Sequence, residues 1–174
     1  KAHPRGDKTP GPIKRGLGVS FHTWGGTPHN STQDIIVNPD GSVVVQVGSQ
    51  DLGSGTRTIL AQVAAETFGL EVKDIKVNIG DNKYKASGGS GGSTTVGGVS
   101  SACRRGCLDA LDKIFEAAAL ALGAKPEDLE VVPGKVQVKG NASKSLTWKQ
   151  ACSKLGMNPI TVEGKQPGPV SGEH

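Results

Sequence analysis

The chain has 174 residues, a length that suits one compact domain, and its hydrophobic fraction of 34% is low. With 3% aromatic residues and 26 glycines, the core is expected to consist of Val, Ile, Leu and Ala packed closely against backbone. The net charge of +4 lies entirely in residues 1–15, which carry five basic residues and one acidic residue. This distribution argues against nucleic-acid binding, and the sequence shows no signal peptide and no membrane span.

The cysteines do not have the number or spacing of a disulfide scaffold. Cys103 and Cys107 are four residues apart within a helical pattern and share one face, but two thiols do not complete a metal site. We interpret them and Cys152 as small buried hydrophobic residues in a reducing compartment. The predicted location is cytoplasmic, and a periplasmic location would require export together with a partner.

In chain order, the first predicted element is a half-buried strand at 16–24, where apolar and polar residues alternate. Two β-branched runs follow at 34–37 and 42–47. The Asp40-Gly41 dipeptide between them is a strong hairpin signal. These residues predict the start of a sheet.

The middle of the chain predicts two strand–loop–helix units. Apolar residues at helical spacing indicate a helix over 56–68, and clean alternation indicates a strand over 72–79. A long helix with a buried stripe is predicted to begin at Thr95 or Gly98 and to end at Leu122. The predicted fold class is therefore α+β, with a mixed or antiparallel sheet and two main helices.

The last third of the chain predicts smaller elements. Residues 126–129 are typical of one helical turn, and 129–132 and 135–138 of a short hairpin. The stretch 145–152 has an N-cap hydroxyl and leads into a short predicted helix that ends near Gly156. The predicted organisation is a flexible basic arm at 1–15, an α+β core at 16–122, a small α/β extension at 123–162 and a connector at 163–174 toward a C-terminal part outside this chain.

Two loops rich in glycine and hydroxyl groups stand out: the first glycine loop (residues 48–58) and the second glycine loop (residues 87–95). Each follows a predicted strand and opens a predicted helix. Such loops let the backbone approach a ligand and aim N–H groups at it, and the helix dipole favours negative charge. Ser54 and the hydroxyls of 93–95 add neutral donors. We expect a phosphorylated or pterin-like cofactor between the two helix starts.

Other interpretations of these loops are weaker. The composition of 87–93 is that of a flexible linker, but its place between a strand and a helix counts against that interpretation. The P-loop motif is absent, and the dinucleotide fingerprint fails because Thr58 stands where its third glycine belongs.

The residues do not form a complete catalytic set. Asp51 and Asp81 are interpreted as cap or turn residues, and His22 and His29 as surface histidines. No metal-ligand spacing and no nucleophile elbow appears in the sequence.

Several motifs agree in order and spacing with one known family. They are Gly48-Ser49-Gln50-Asp51-Leu52-Gly53-Ser54-Gly55-Thr56-Arg57-Thr58, Ala64-Ala65-Glu66, Gly69-Leu70, Gly80-Asp81 and Ser90-Gly91-Gly92-Ser93-Thr94-Thr95. Over about residues 15–122 the chain resembles the molybdenum hydroxylases, the xanthine dehydrogenase/aldehyde oxidase family. It is most similar to the bacterial type whose molybdopterin-binding subunit is a separate chain.

The resemblance implies an oxidoreductase that hydroxylates aldehydes or N-heterocycles with water as the oxygen source. It implies molybdenum held by molybdopterin, often in its cytosine dinucleotide form, with no side-chain ligand to the metal. It implies as partners the remaining part of the molybdenum subunit and further subunits or domains that carry a 2Fe-2S cluster and FAD. The residues that it implies for cofactor binding are Gly53, Ser54, Gly55, Gly91, Gly92, Ser93, Thr94 and Thr95.

The chain departs from the family pattern at three places, one of which is a second glycine loop richer in glycine than that of many relatives. The family often has Gln where Ser54 stands. Its catalytic glutamate lies in a Gly-x-Gly-Glu motif that Ser171-Gly172-Glu173 does not match, so no catalytic residue is assigned. We therefore expect an excised or split domain of the molybdenum subunit that does not turn over alone. The alternatives are a stand-alone binding or interaction module of the same fold without cofactor, and a nucleotide-binding or transferase domain.

Overall fold

A computed structural model of the chain describes residues 6–168, with seven strands and three helices in that range. In chain order they are β1 (Ser31–Val37), β2 (Val43–Val47), α1 (Thr56–Phe68), β3 (Ile75–Ile79), α2 (Thr95–Leu122), β4 (Leu129–Val132), β5 (Lys135–Val138), β6 (Asn141–Thr147), α3 (Trp148–Cys152) and β7 (Ile160–Gln166). A mixed sheet has the order β3-β2-β1-β7, and an antiparallel sheet has the order β4-β5-β6. The predicted α+β class is confirmed.

The hairpin of β1 and β2 forms where the Asp-Gly signal predicted it. Asn38 N donates to the Ser42 carbonyl oxygen at 2.9 Å, and Asp40 accepts from Ser42 N at 2.9 Å. Alternate side chains of both strands are buried, which places the β-branched residues in the core. The strand β1 begins at Ser31, three residues before the predicted start.

The helices α1 and α2 pack on the sheet, and their bounds agree with the predicted ones. The contact between α2 and β7 requires two glycines. A methyl group built on Gly106 would lie 2.8 Å from Ile35 Cγ1 and 2.9 Å from the Cα of Gly164. A methyl group on Gly164 would overlap the Ala102 carbonyl oxygen. Helix and strand therefore meet backbone to backbone at this point.

The predicted strand at 16–24 is wrong. Residues 6–30 contain no helix and no strand, and Leu17, Val19 and Phe21 are 80%, 80% and 95% exposed. A strand needs a partner for its N–H and C=O groups, and within residues 6–168 none pairs with this segment. The apolar alternation alone does not make it part of the sheet.

The predicted strand at 72–79 begins too early. Residues Val72–Asp74 form a 3-10 turn, and the strand covers only Ile75–Ile79. The Glu71 backbone N–H donates to the Asp74 carboxylate at 3.2 Å, and Asp74 N donates to the Glu71 carbonyl at 2.9 Å. This local capping competes with the extended conformation that the alternation indicated.

The predicted connector at 163–174 is wrong for its first residues. The strand β7 runs to Gln166 and pairs antiparallel with β1 along its whole length. The pattern hid this strand, because Gly164 interrupts it and Pro167 follows it closely. Residues 169–174, including Glu173, lie outside the described residues.

The second sheet lies beyond α2 and shares the same core. The hairpin of β4 and β5 is confirmed, and so is a short helix, although α3 covers only Trp148–Cys152 and residues 145–147 belong to β6. Thr147 caps α3 by accepting from Gln150 N. Trp148 packs on Phe68 with ring centroids 5.2 Å apart, and both belong to one buried cluster. Residue 122 therefore does not separate two cores. The strand β6 was not predicted, because its residues are polar and mostly exposed.

Candidate cofactor-binding cleft

Both glycine loops leave the same edge of the mixed sheet. The strands β2 and β3 are parallel neighbours with Val47 opposite Ile79, so their carboxyl ends lie side by side. The first glycine loop follows β2, and the second follows β3 after a short turn. The carboxyl edge of adjacent parallel strands is where ligands bind in many α/β sheets.

Hydrogen bonds join the two loops directly. Ser90 N donates to Gln50 Oε1 at 3.0 Å, and Ser90 Oγ donates to the Gln50 carbonyl oxygen at 3.4 Å. Before the second loop begins, Gly48 N donates to the Lys85 carbonyl at 2.8 Å. The loops are therefore held together although 40 residues separate their contact points.

A cleft of about 370 Å³ opens between them. Its lining residues are Leu52, Ser54, Ser90, Gly91, Gly92, Ser93, Thr95 and Val96. Five of the eight candidate residues thus line one cleft, whereas Gly53, Gly55 and Thr94 lie beside it. Leu52 and Val96 were not among the predicted site residues, because a pattern of glycines and hydroxyls does not single out apolar lining residues.

The start of α1 is already occupied by a side chain of its own loop. The Asp51 carboxylate accepts from Gly53 N at 3.1 Å, Gly55 N at 3.2 Å and Arg57 N at 3.1 Å. These bonds, the one from Arg57 first, lower the pKa of Asp51. The interpretation of Asp51 as a cap is confirmed. The expectation of free N–H groups at this helix start is wrong for these three, because Asp51 takes them.

The start of α2 differs, because no side chain caps it within the described residues. Its N-cap residue, Thr94, instead donates its hydroxyl hydrogen to the Gly91 carbonyl at 2.7 Å. The first two helical residues, Thr95 and Val96, line the cleft. The uncapped positive end of a 28-residue helix therefore lies at the cleft, where it favours an anionic group.

Within residues 6–168, neither the backbone conformation nor the packing requires a glycine at position 91. Its φ is not left-handed, and a methyl group built on it would meet nothing within 4 Å. Its neighbours are different, since Gly92 and Ser93 have φ values of 57° and 62°. Ser93 is the one non-glycine residue with positive φ between residues 6 and 168, which is a strained backbone of the kind found at ligand sites.

Among residues 6–168, no charged side chain lines the cleft, and the polar groups that line it are hydroxyls and backbone atoms. Arg57 points elsewhere and donates to the Val77 carbonyl at 2.8 Å. Lys85 forms an ion pair with Asp34 at 2.9 Å and another with Glu163. The hydrogen bond with Glu163, and then that with Asp34, raises the pKa of Lys85. These ion pairs hold the segment just before the second glycine loop against β1 and β7.

A larger groove of about 530 Å³ lies at the far end of α2, beside Asp112, Glu116 and Glu127. Carboxylates dominate the charge of its lining, so it is unsuited to the phosphorylated ligand that the glycine loops predict. The site is therefore assigned by chemistry and not by volume.

The remaining candidates from the sequence have structural roles. Asp81 is a turn residue that accepts from Lys83 N at 3.0 Å. Cys103, Cys107 and Cys152 are buried free thiols, and burial raises the pKa of Cys152 to about 12. Among residues 6–168, no group of His, Cys, Asp and Glu side chains could hold a metal ion. In the same range, no helix is long and apolar enough to cross a membrane.

The interpretation of His29 as a surface histidine is wrong. Both of its ring nitrogens are buried and have no hydrogen-bond partner within the described part of the chain. His22, in contrast, is exposed as expected. No sequence signal distinguishes the two histidines, because the residues that pack against His29 lie about 60 to 70 positions further along the chain.

Comparison with known proteins agrees with the predicted resemblance. The family model described as molybdopterin cofactor-binding domain matches residues 1–171. The chain is 31% identical over 152 residues to the aldehyde oxidoreductase molybdenum-binding subunit PaoC of Escherichia coli K12, covering 82% of this chain and 19% of that protein. It is 29% identical over 158 residues to the gamma subunit of the 6-hydroxypseudooxynicotine dehydrogenase complex of Paenarthrobacter nicotinovorans, covering 89% and 18%.

The fold also matches a solved structure. The crystal structure of quinoline 2-oxidoreductase from Pseudomonas putida 86 superposes with a TM-score of 0.73 at 20% identity, over 81% of this chain and 19% of that one. The chain thus spans about a fifth of the length of these relatives. From the family model, which matches nearly the whole sequence, the chain belongs to the molybdopterin cofactor-binding domain family.

Proposed function

We propose that the cleft between the two glycine loops holds molybdopterin, and that the chain acts as one part of a molybdenum-dependent hydroxylase. The observation that carries this proposal is the convergence of both loops on one cleft at Gly91, a glycine that neither φ nor internal packing requires. A ligand that approaches the backbone closely would explain why a side chain is missing there.

The donor set of the cleft fits the cofactor. Ser54, Ser90, Ser93 and Thr95 offer neutral hydroxyls to a polar heterocycle, and the uncapped start of α2 suits a phosphate. Leu52, which is 72% exposed, and Val96 offer apolar surface to the face of a ring. The absence of a carboxylate from the lining avoids repulsion of an anion.

In this proposal the chain supplies the grip on the cofactor and not the proton transfer. In the described part of the chain, no aspartate, glutamate or histidine lines the cleft, so we assign the general acid–base groups to the remaining part of the subunit. The cofactor, when bound, supplies the oxidation–reduction chemistry of hydroxylation with water. The task of the loops is to orient it through backbone N–H groups and hydroxyls.

We extend the proposal to the assembled enzyme. Its substrate is an aldehyde or an N-heterocycle, its cofactor is molybdopterin in the cytosine dinucleotide form, and partner subunits carry the 2Fe-2S cluster and FAD. Two relatives carry names that describe subunits of larger enzymes, and this chain covers only 18–19% of them. The three buried free thiols fit assembly in the cytoplasm.

A pair of glycine variants tests the proposal. Gly91→Val places a side chain in the cleft, and we expect the molybdenum and pterin content of the assembled enzyme to fall at least about tenfold. Gly89→Val is the matched control. Gly89 lies in the same loop with an equally open Cβ position and no left-handed φ, but it does not line the cleft.

A variant at Gly91 tests cofactor binding more directly than one at Gly92. At Gly92 the φ of 57° would strain any side chain, so loss of folding could not be told from loss of binding. Circular dichroism should show both variants folded. Normal cofactor content in Gly91→Val would contradict the proposal. A parent enzyme that assembles fully without any pterin would support the stand-alone module instead.

A further inference from the structure

The second glycine loop is held from outside by residues 24–30, which we call the strap. Trp24 Nε1 donates to the Gly92 carbonyl at 3.2 Å, and His29 N donates to the Thr94 carbonyl at 3.4 Å. At the other end of the loop, Gly88 N donates to the Asn30 carbonyl at 2.8 Å. The strap therefore contacts the loop near both of its ends, although it contains no helix and no strand.

The His29 side chain fills the gap between the loop and α2. A methyl group built on Gly88 would lie 2.8 Å from Cγ of His29 and 2.9 Å from its Cβ. A methyl group built on Gly98, in the first turns of α2, would lie 2.5 Å from the His29 carbonyl oxygen and 2.8 Å from Cε1. Both glycines therefore make room for His29, through its ring and also through its Cβ and backbone carbonyl.

The ring gains nothing from hydrogen bonding. Its Nδ1 and Nε2 are buried without a partner among the described residues, an arrangement that costs free energy relative to water. An apolar side chain of the same shape would avoid that cost. What the imidazole supplies here is a flat, rigid volume.

We propose that His29 is a positioning residue for the cofactor cleft. Its ring is a wedge that sets the second glycine loop against the first turns of α2, and so fixes where Gly91, Gly92 and Ser93 face the cleft. The expected effect of this wedge on cofactor retention rests on the proposed function. The wedge itself is a property of the chain and is measurable without cofactor.

Amide hydrogen exchange of the full 174-residue chain tests the wedge. In His29→Ala the amides of 88–98 should exchange about tenfold faster, while those of β2 keep the parent rate. In His29→Phe they should return close to the parent rate, because a phenyl ring fills the gap without any polar atom. Met157→Ala removes a side chain that is 96% exposed and lies outside the strap and the loop, and it should leave the exchange of 88–98 unchanged.

Unchanged exchange in His29→Ala would overturn the proposal, as would equal acceleration in 88–98 and in β2, which indicates a general loss of stability. If His29→Ala does not fold, the exchange rates of 88–98 in His29→Phe and His29→Asn test the proposal instead. The proposal requires slow exchange in the loop with Phe and fast exchange with Asn, and equal rates overturn it.

The consequence for the cofactor is measured separately. In the assembled enzyme, His29→Asn should lower pterin content several-fold and His29→Phe should preserve it. Faster loop exchange in His29→Asn with pterin content at the parent level would overturn the positioning role but not the binding cleft. Retention of cofactor by Gly91→Val would overturn the proposal that the cleft binds the cofactor, but it would not affect the proposal that His29 is a wedge. The two failures are therefore distinguishable.

Discussion

At the residue scale, the two glycine loops differ in where their N–H groups go. Asp51 takes three N–H groups at the start of α1, whereas no side chain caps the start of α2 within the described residues. The first loop is thus stabilised internally and contributes Leu52 and Ser54 to the cleft. At the second loop, the first backbone N–H groups of α2 remain available to a ligand.

The cap predicts a pH dependence for folding. The hydrogen bonds to Asp51 lower its pKa in the folded chain, so the carboxylate stabilises the fold above its unfolded pKa of about 3.9. That stabilisation is lost as pH falls through the lower, folded pKa. We therefore expect Asp51→Asn to lower the Tm at pH 7, and the difference from the parent chain to shrink as pH falls below about 4.

Thermal unfolding of the chain between pH 3 and pH 7 checks this expectation. Asp109→Asn, which removes the same charge from an exposed position on α2, controls for net charge. An Asp51→Asn variant with the parent Tm at pH 7 would show that the cap contributes nothing to stability.

At the residue scale, the sequence predicts the roles of side chains with nearby partners but not of those with distant partners. Asp51 could be assigned as a cap because its partners are the next few residues of the chain. His29 could not be assigned correctly, because Gly88 and Gly98 bury it from far along the chain. Gly91 could be selected from the motif, but only coordinates show that it differs from Gly92 in needing no left-handed φ.

At the scale of elements, the sequence predicts correctly those helices and turns whose stabilising interactions lie within the same segment of the chain. The bounds of α1 and α2 follow from helical spacing and from the glycines after their last turns, and the β1–β2 hairpin follows from its turn. The strands β6 and β7 were missed because their pairing is decided by distant neighbours and not by their own alternation. The same reason explains the false strand at 16–24.

The contact between α2 and β7 gives a prediction at this scale. Gly164→Ala places a methyl group 3.0 Å from Gly106 N and against the Ala102 carbonyl oxygen, so the helix must move away from the sheet. We expect the free energy of unfolding to fall by about 3 kcal/mol, the upper part of the range for overpacking. Chemical denaturation of the chain measures it.

Gly18→Ala is the control, because a methyl group there meets nothing within 4 Å. We expect its effect to stay below about 0.5 kcal/mol. Equal stability of Gly164→Ala and the parent chain would mean that α2 and β7 do not approach as closely as described.

At the scale of the whole molecule, the parallel pairing of β2 and β3 is what makes one site from two loops. Because their carboxyl ends are adjacent, residues 40 positions apart line the same cleft. The cleft is open to solvent at Leu52, which is 72% exposed, and the chain spans about a fifth of the length of its relatives. We infer that the remaining part of the subunit closes it.

The position of the pterin in a crystal structure of the assembled, cofactor-loaded enzyme is the most direct test. We predict that it contacts Ser54 from the first glycine loop and Gly91 from the second, with its phosphate toward the start of α2. A pterin bound away from both loops, with the cleft filled by protein, would contradict the assignment of this cleft.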